Sequence, residues 1–230
     1  MGTFGDDICY LCGKLLGEEK TDKDHVPPKQ FFPKQLRGKF NLQLQTLTVH
    51  KKCNSIFQHD EDYFLDSIGP TALGSKTGNF LWNDINKRVQ RPQGLPLALK
   101  VHKEFQDKIG SIYLPPGIVV KKFDGKRVWG IIWKITRGLY FIENKRYLPE
   151  TTPHRGISIG YEPGKEFEVL GNAEERGLYR GIFAYKYREF EKIDRMNVWA
   201  YLFWNKIIVV LQFEHPDCEC EIRKELKAGA

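Results

Sequence analysis

The stretch that decides the fold is residues 9–61, in which Cys9-Tyr-Leu-Cys12 and His50-Lys-Lys-Cys53 flank the pair Asp24-His25. A C-x-x-C turn lets two thiolates bind one zinc ion, and an H-x-x-C turn completes a tetrahedral set of nitrogen and sulfur ligands. The spacing therefore predicts a structural zinc site formed by Cys9, Cys12, His50 and Cys53. The alternative, a set of buried free thiols, is less favoured because the two ligand pairs enclose an Asp-His pair.

Asn54 follows the last of these zinc ligands directly. If the zinc ion joins residues 9–12 to residues 50–53, the segment between them forms a loop or hairpin that carries Asp24 and His25 back towards Asn54. Asp24 and Asn54 offer the hard oxygen ligands that Mg²⁺ or Mn²⁺ prefers. His25 has an unperturbed pKa near neutrality and is suited to remove a proton from an attacking water. Together the three residues predict metal-assisted attack on a phosphodiester.

A helix predicted over residues 52–67 adds one more candidate. At 100° per residue, Asn54, Gln58 and Glu61 share one face of this helix. Glu61 is therefore a candidate extra ligand of the catalytic ion or a residue that supports the site. His59 points away from Asn54 and is predicted to be a surface or structural residue.

Four short motifs of this stretch, taken together, resemble a known family. They are Cys9-x-x-Cys12, Asp24-His25-Val26-x-Pro28, Asn41-Leu42-Gln43 and His50-x-x-Cys53-Asn54. As a set they are similar to the zinc-stapled HNH endonucleases with a ββα-metal core, including the endonuclease VII type. The resemblance covers roughly the first quarter of the chain and is specific as a set, whereas each motif alone is weak.

This resemblance implies a role for each site residue. Asp24 and Asn54 would hold the catalytic Mg²⁺ or Mn²⁺, and His25 would be the general base. Asn41 would brace the loop that carries His25. The resemblance also implies a setting in mobile elements or phage defence.

The sequence departs from the family pattern at two places. His50 stands where many relatives have a cysteine, and because histidine is an ordinary zinc ligand the site is retained. Many relatives carry a lysine a few residues after the catalytic asparagine, whereas Ser55, Ile56 and Phe57 are uncharged here. One phosphate contact of the family is therefore unaccounted for.

Composition narrows the class of protein. The 230 residues carry a formal net charge of +7 and a pI of about 9.0, which favours a polyanionic partner without deciding it. Residues 1–7 do not resemble a signal peptide, and the apolar runs, including residues 207–211, are too short to cross a bilayer. We therefore expect a soluble protein of the cytoplasm with no membrane partner.

The cysteine count points in the same direction. Three of the five cysteines have metal-ligand spacing, which favours a reducing compartment over disulfides. Cys218 and Cys220, near His215, are candidates for a second metal site or a redox pair. A solvated tail is favoured for them because a fourth ligand is missing.

The remaining chain predicts an α+β protein with two parts. Residues 42–49 alternate with a period of two and predict a strand, whereas residues 69–96 are rich in Gly and Pro and hold one helix over residues 79–90. We expect a ββα-metal nuclease module with its following helices at residues 1–94. An accessory domain built from a helix and an antiparallel sheet is expected at residues 95–230.

The accessory domain is predicted from strong patterns. Residues 182–190 alternate and predict a strand, and residues 198–204 and 207–213 predict a hairpin across Asn205-Lys206. These strands predict an antiparallel sheet of three or more strands, packed against a helix over residues 126–143.

This helix carries an apolar stripe and, beside it, a basic one formed by Lys126, Lys134 and Arg137. The basic stripe is a candidate surface for the phosphate backbone of a nucleic acid or for a partner chain. The favoured alternative places the aromatic residues of the helix in the core and its basic residues in solvent.

The function that these patterns predict is metal-dependent hydrolysis of phosphodiester bonds in DNA by an HNH endonuclease. One alternative is a catalytically silent zinc-finger protein that binds nucleic acid, and another is an HNH nuclease that acts on RNA. The presence of Asp24, His25 and Asn54 together favours catalysis, because a zinc module that only binds needs the zinc ligands and not these three residues. A homo-oligomer or a complex with a partner protein stays open.

Overall fold

A computed structural model describes residues 7–190 and 196–214 of the chain. The tail cluster considered above, His215, Cys218 and Cys220, lies outside the described residues. Within the described ranges, no helix combines the length and the apolar character needed to cross a membrane.

The N-terminal part is organised on two antiparallel strands. Strand β1 is Thr21–His25, helix α1 is Lys34–Phe40 and strand β2 is Thr46–His50. The register pairs Thr21 with His50 and His25 with Thr46. Helix α2, Lys51–Ser55, starts directly after β2 and carries Asn54. The strand predicted over residues 42–49 is confirmed only in its second half, because residues 42–45 are irregular.

The helix predicted over residues 52–67 is divided in the structure. Helix α2 ends at Ser55 and helix α3 is Gln58–Ile68. Between them the backbone tightens, with the Phe57 N–H donating to the Asn54 carbonyl at 3.2 Å, and the Phe57 ring packs against the core. Asn54 and Glu61 therefore lie on different helices, although both reach the cavity described below.

Two further helices and four very short strands follow. Helix α4 is Lys76–Val89, which confirms the helix predicted over residues 79–90, and helix α5 is Leu95–His102. The Ser75 hydroxyl caps α4 by accepting from the Gly78 N–H at 2.8 Å. The short strands form two pairs, β3 with β6 and β4 with β5; they are β3 Phe105–Gln106, β4 Lys108–Ile109, β5 Ile112–Tyr113 and β6 Val120–Lys121.

The C-terminal part is a long helix packed on a sheet. Its elements are α6 Gly125–Asn144, β7 His154–Gly160, α7 Lys165–Glu168, β8 Phe183–Phe190, β9 Met196–Phe203 and β10 Ile207–Glu214. The four long strands form an antiparallel sheet in the order β7-β10-β9-β8. Trp133 and Tyr140 of α6 contact Phe213 of β10, and the Thr136 and Tyr201 hydroxyls lie 2.6 Å apart. The predicted α+β class, the sheet and its packing against this helix are confirmed.

One hydrophobic core joins the two predicted parts of the chain. Phe31 and Phe64, from before residue 95, pack with Phe203 and Trp204 from after it, and the Trp204 indole N–H donates to the Phe31 carbonyl at 2.8 Å. A smaller cluster around Leu170 and Val198 is separate. The core therefore continues across the boundary predicted at residue 95.

Helix α6 lies at the centre of this core, and this overturns part of the sequence interpretation. All residues from 131 to 141 are buried, because the N-terminal part and α3 cover one side of the helix and the sheet covers the other. Lys134 is 2% exposed and Arg137 is 1% exposed. The prediction that Lys126, Lys134 and Arg137 form one surface stripe is therefore wrong, because only Lys126 faces solvent.

Gly138 allows α6 to approach the N-terminal part this closely. A Cβ atom at Gly138 would lie 2.8 Å from the methyl groups of Val26 and 3.2 Å from the Tyr10 ring. No side chain larger than hydrogen fits at this position without movement of the chain. The turn of α6 that carries Arg137 is thereby held against residues 10 and 26.

Candidate functional site: a metal cluster beside an imidazole-lined cavity

The first candidate site is a group of four metal-ligand side chains, here called the zinc cluster: Cys9, Cys12, His50 and Cys53. The Cys9 carbonyl accepts from the N–H groups of Cys12 and Gly13 at 3.2 and 2.8 Å, which folds the C-x-x-C segment into a turn. Gly13 has φ +73°, a backbone conformation that residues with a side chain rarely adopt. His50 ends β2 and Cys53 lies in α2, so the strand-to-helix junction supplies the other two ligands.

The ligand atoms of the zinc cluster all lie within 4.8 Å of one another. Nδ1 of His50 faces Sγ of Cys12 at 3.3 Å and Sγ of Cys53 at 4.0 Å. Its other ring nitrogen, Nε2, lies 3.2 Å from the Leu15 carbonyl. A hydrogen bond from Nε2 to a backbone carbonyl leaves Nδ1 free to bind a metal, the arrangement that orients metal-binding histidines. These residues fit a metal such as zinc, as the sequence predicts.

The cysteines of the zinc cluster do not ionise independently of one another. Burial and the neighbouring cysteines raise the pKa of Cys53 to about 12. Burial also acts to raise the pKa of Cys12, but hydrogen bonds with the Lys14 backbone and with His50 lower it below its ordinary value. Several thiolates can therefore coexist here at neutral pH only when a cation shares their charge, which is the state that zinc binding stabilises.

The second candidate site is a cavity of about 940 Å³ next to β1 and α2. His25, Asp24, Asn54 and Glu61 all line it, so the structure brings these predicted residues to one place. His25 ends β1, and Asn54 lies in α2, where its Nδ2 donates to the Asp22 carboxylate at 3.2 Å. The short antiparallel pair and the helix that follows it are what bring the two residues together.

Asn41 is not among the residues that line this cavity. It is exposed and ends α1 in the left-handed conformation, with φ 47° and ψ 50°. Its backbone N–H donates to the carbonyls of Arg37 and Gly38. Asn41 is therefore the C-cap residue of α1, and its role in bracing the loop that carries His25 stays a prediction.

His25 is half-buried in the cavity wall. Burial lowers the pKa of its imidazole below the ordinary value of 6.5, and the nearby Lys29 ammonium lowers it further. Arg37 acts in the same direction, whereas the Asp24 and Asp22 carboxylates oppose it. The imidazole is therefore neutral at physiological pH, which is the protonation state that a general base requires.

Asp24 belongs to a buried group of charges, here called the Lys134 cluster: Asp24, Glu61 and Lys134. The Lys134 ammonium donates to Oδ1 of Asp24 at 3.0 Å and also to Oε1 of Glu61, and it lies 5.3 Å from the centre of the Phe57 ring. The Tyr10 hydroxyl donates to Oδ2 of Asp24 at 2.5 Å. Both oxygens of this carboxylate, which is 5% exposed, thus accept a hydrogen bond from within the protein.

Burial of the Lys134 cluster raises the pKa values of Glu61 and of Tyr10, which contacts the cluster. Burial raises the pKa of Glu61, although the Lys134 ammonium opposes the shift. Burial and the Asp24 carboxylate raise the pKa of Tyr10 well above its ordinary value, so its hydroxyl keeps the proton that it donates. Sequence reasoning missed Lys134 as a partner of Asp24. The signal that was present is a lysine between Trp133 and Ile135 in a helix apolar over most of its surface.

Arg137 and Lys126 take no part in the cavity. The Arg137 guanidinium donates to the carbonyls of Leu148 at 3.0 Å and Leu11 at 2.6 Å, which attaches the C-x-x-C turn to α6. Lys126 is exposed in the first turn of α6. His59, exposed on α3, also lies outside the cavity lining, in agreement with its predicted surface position.

Chemically, the two sites differ in kind. The zinc cluster is a closed set of four ligands and is suited to a structural ion. The cavity combines a neutral imidazole with carboxylate and carboxamide oxygens and is open to a substrate. Comparison of the chain with the models of protein families, with curated proteins and with solved structures finds no match.

Proposed function

We propose that the protein is an HNH-type, metal-dependent endonuclease that hydrolyses phosphodiester bonds of DNA. The observation that carries this proposal is the position of His25, whose pKa is lowered, beside Asp24 and Asn54 in one open cavity. The excess of basic residues in the chain supports a polyanionic substrate.

In this proposal the His25 imidazole accepts a proton from the water that attacks phosphorus. Its burial serves the reaction, because a base with a lowered pKa is not protonated at neutral pH. Lys29, next to it, favours both the neutral imidazole and a bound phosphate. The zinc cluster would hold the turn of residues 9–12 against the start of α2 and so keep Asn54 opposite His25.

Asp24 and Asn54 are the residues that would hold a Mg²⁺ or Mn²⁺ ion. A carboxylate offers about four lone-pair positions, so Asp24 retains acceptor capacity beyond its bonds to Tyr10 and Lys134. The Asn54 nitrogen faces Asp22, which leaves its carbonyl oxygen for an ion. Such an ion, when bound, would polarise the phosphoryl oxygen and stabilise the departing oxygen. Glu61 would support Asp24 through the ammonium that they share.

A second candidate function is a protein that binds nucleic acid without cleaving it. The observation that favours it is the enclosure of Asp24, whose two oxygens are both held by protein donors, one of them an ammonium. In that case the Lys134 cluster would be only structural, and the zinc module would serve as a binding surface. An HNH nuclease that prefers RNA is a further outcome of the same test.

The test incubates the purified protein with plasmid, linear DNA and RNA, in Mg²⁺, in Mn²⁺ and without a divalent ion. We expect DNA cleavage that needs the ion and that falls by about 10² to 10⁴-fold in His25→Ala, because general-base catalysis contributes on this scale. His59→Ala is the matched control, since this histidine is exposed and outside the cavity. Binding without cleavage under either ion, or normal cleavage by His25→Ala, would exclude the catalytic proposal. Cleavage of RNA alone would replace the substrate.

A further inference from the structure

The cavity that contains His25 extends well beyond the catalytic candidates. It is also lined by α1, by α4 and by the residues just after α4, which contribute Lys34, Gln35, Asn83, Asn86, Lys87 and Arg91 among others. Helix α1 contacts α4, and the Lys34 N–H donates to the Asp84 carboxylate at 2.7 Å, so the two helices form one continuous surface. A ligand large enough to fill the cavity would contact both His25 and this surface.

The charges around the cavity do not balance. Three of the four acidic side chains of the lining form ion pairs: Asp24 and Glu61 share Lys134, and Asp62 pairs with Arg88. Asp84, the fourth, accepts a hydrogen bond from the backbone and keeps its charge. By contrast, within the described part of the chain six lining cations form no ion pair; they are Lys23, Lys29, Lys34, Arg37, Lys87 and Arg91. The cavity therefore presents uncompensated positive charge, which suits a polyanion.

One face of helix α4 lines this cavity, and its other face packs against the core and α3. Leu81 and Ile85 are buried in the core, and Arg88 binds both Asp62 and Asp66 of α3. The opposite face carries amides and cations at helical spacing, namely Asn83, Asn86, Lys87, Gln90 and Arg91, the last two just past the helix end. A rigid helix with this face is suited to contact phosphates through its cations and base edges through its amides.

We propose that the exposed face of α4 is the surface on which double-stranded DNA is bound and recognised next to His25. This proposal rests on the proposed function for the substrate class. Lys87 and Arg91 contact backbone phosphates, and Asn83 and Gln90 contact base edges. The face lies outside the two strands and helix that carry His25 and Asn54, so it gives the chain its own means of selecting a substrate.

The first test measures the binding of a short DNA duplex by fluorescence anisotropy over a series of salt concentrations. The measurements use His25→Ala protein, which separates binding from cleavage. Neutralising two phosphate contacts should reduce the slope of log K against log salt by about 1.8, since each contact contributes about 0.9. We therefore expect Lys87→Ala/Arg91→Ala to lower the slope by this amount. Lys126→Ala/Lys165→Ala, which removes two exposed charges outside the cavity, should leave it unchanged.

The second test selects preferred sequences from a pool of randomised duplexes. Asn83→Ala/Gln90→Ala should lose or change the preference at a fixed position while the salt slope stays the same, because amides contribute no charge. Thermal unfolding of each variant checks that the fold is kept, which we expect because all four side chains are solvent-exposed.

The outcomes separate this proposal from the proposed function. DNA binding with an α4-dependent slope but no cleavage by the wild type supports the surface and contradicts the endonuclease. Cleavage by the wild type with equal slopes for the α4 variant and its control overturns the surface and leaves the endonuclease standing. Absence of duplex binding in the parent His25→Ala protein overturns the α4 proposal as well.

Discussion

The zinc cluster and the Lys134 cluster are two charged groups in one buried region, and they are assembled by different means. The zinc cluster is built from two short turns, whose ligands Cys12 and His50 are 38 residues apart. The Lys134 cluster joins side chains 110 and 73 residues apart, on a strand and two helices. The first offers four ligands to a metal ion that could be removed, whereas the second depends on where the long helix α6 packs.

The two clusters are also physically connected. Tyr10 lies inside the C-x-x-C turn and donates its hydroxyl to Asp24. Arg137, one turn after Lys134 on α6, donates to the carbonyls of Tyr10 and Leu11. The C-x-x-C turn is thus attached to α6 through the carbonyls of Tyr10 and Leu11 and through the bond of the Tyr10 hydroxyl to Asp24, which Lys134 also binds. A substitution in either cluster should therefore alter the other cluster as well. Comparing the loss of stability that each substitution causes shows which cluster contributes more to the fold.

The largest effect is expected from loss of the zinc cluster. We predict one zinc ion per chain by elemental analysis, and loss of cooperative unfolding of the N-terminal part in Cys12→Ala or after chelation. Structural zinc contributes about 10–16 kcal/mol of apparent binding free energy in small zinc modules, more than a buried ion pair can. Ser55→Ala, which removes an exposed hydroxyl of α2, is the control. A metal-free protein, or a Cys12→Ala variant as stable as the control, would show that the thiols are only packed together.

The difference between the clusters explains how much of the site could be predicted. Ligand spacing of three residues is a local property, so the zinc cluster could be predicted from the sequence alone, and so could the nearness of Asp24, His25 and Asn54. Helical periodicity likewise predicted α6. It reports which residues share a face but not how many faces are covered, so it does not show that Lys134 and Arg137 are buried.

Other features depended on information that no short segment carries. The break at Ile56-Phe57 arises because the Phe57 ring turns into the core, which the helical pattern of residues 52–67 does not show. The face of α4 lines the same cavity as His25 because of tertiary packing, which no short segment of sequence reports. Core continuity across residue 95 is likewise a property of the folded chain, since residues 69–96 resemble a linker in composition.

A smaller but clear effect is expected from the Lys134 cluster. Lys134→Met should lower the free energy of unfolding by about 3–5 kcal/mol, because removing one partner of a buried ion pair leaves the other charges without compensation. Lys126→Met on the same helix is the matched control and should change stability by less than about 0.5 kcal/mol, since Lys126 is exposed. Urea unfolding measures both.

The double variant Lys134→Met/Glu61→Gln sharpens this result. Removing the Glu61 charge together with the ammonium should cost less than the sum of the two single changes, because the residues contact each other. Equal stability of Lys134→Met and Lys126→Met would mean that the Lys134 cluster does not stabilise the fold. The comparison would then leave the zinc cluster as the sole organiser of the region.

The smallest effect is expected for the pKa of His25, which nearby charges shift. Its pKa lies below 6.5 because of burial and Lys29, so the acid limb of kcat/KM should have its midpoint below that value. The rate should rise with pH through this midpoint, since the neutral imidazole is the active form. Lys29→Ala should move the midpoint to higher pH, because loss of the nearby cation favours the imidazolium. Lys39→Ala, an exposed cation of α1 outside the cavity, should not move it.

Titration of the His25 ring protons by NMR, assigned by their absence in His25→Ala, gives the same quantity without relying on activity. The charges that act on this imidazole are those of Lys29 and Arg37, which lower its pKa, and those of Asp24 and Asp22 on its own strand, which raise it. Asp24 is held by Lys134, so Lys134→Met provides a second comparison. With the ammonium removed, the Asp24 charge acts on His25 uncompensated, and the midpoint should again rise. An unchanged NMR midpoint in both variants would show that burial alone sets the pKa of His25 and that the two sides of β1 are electrostatically independent.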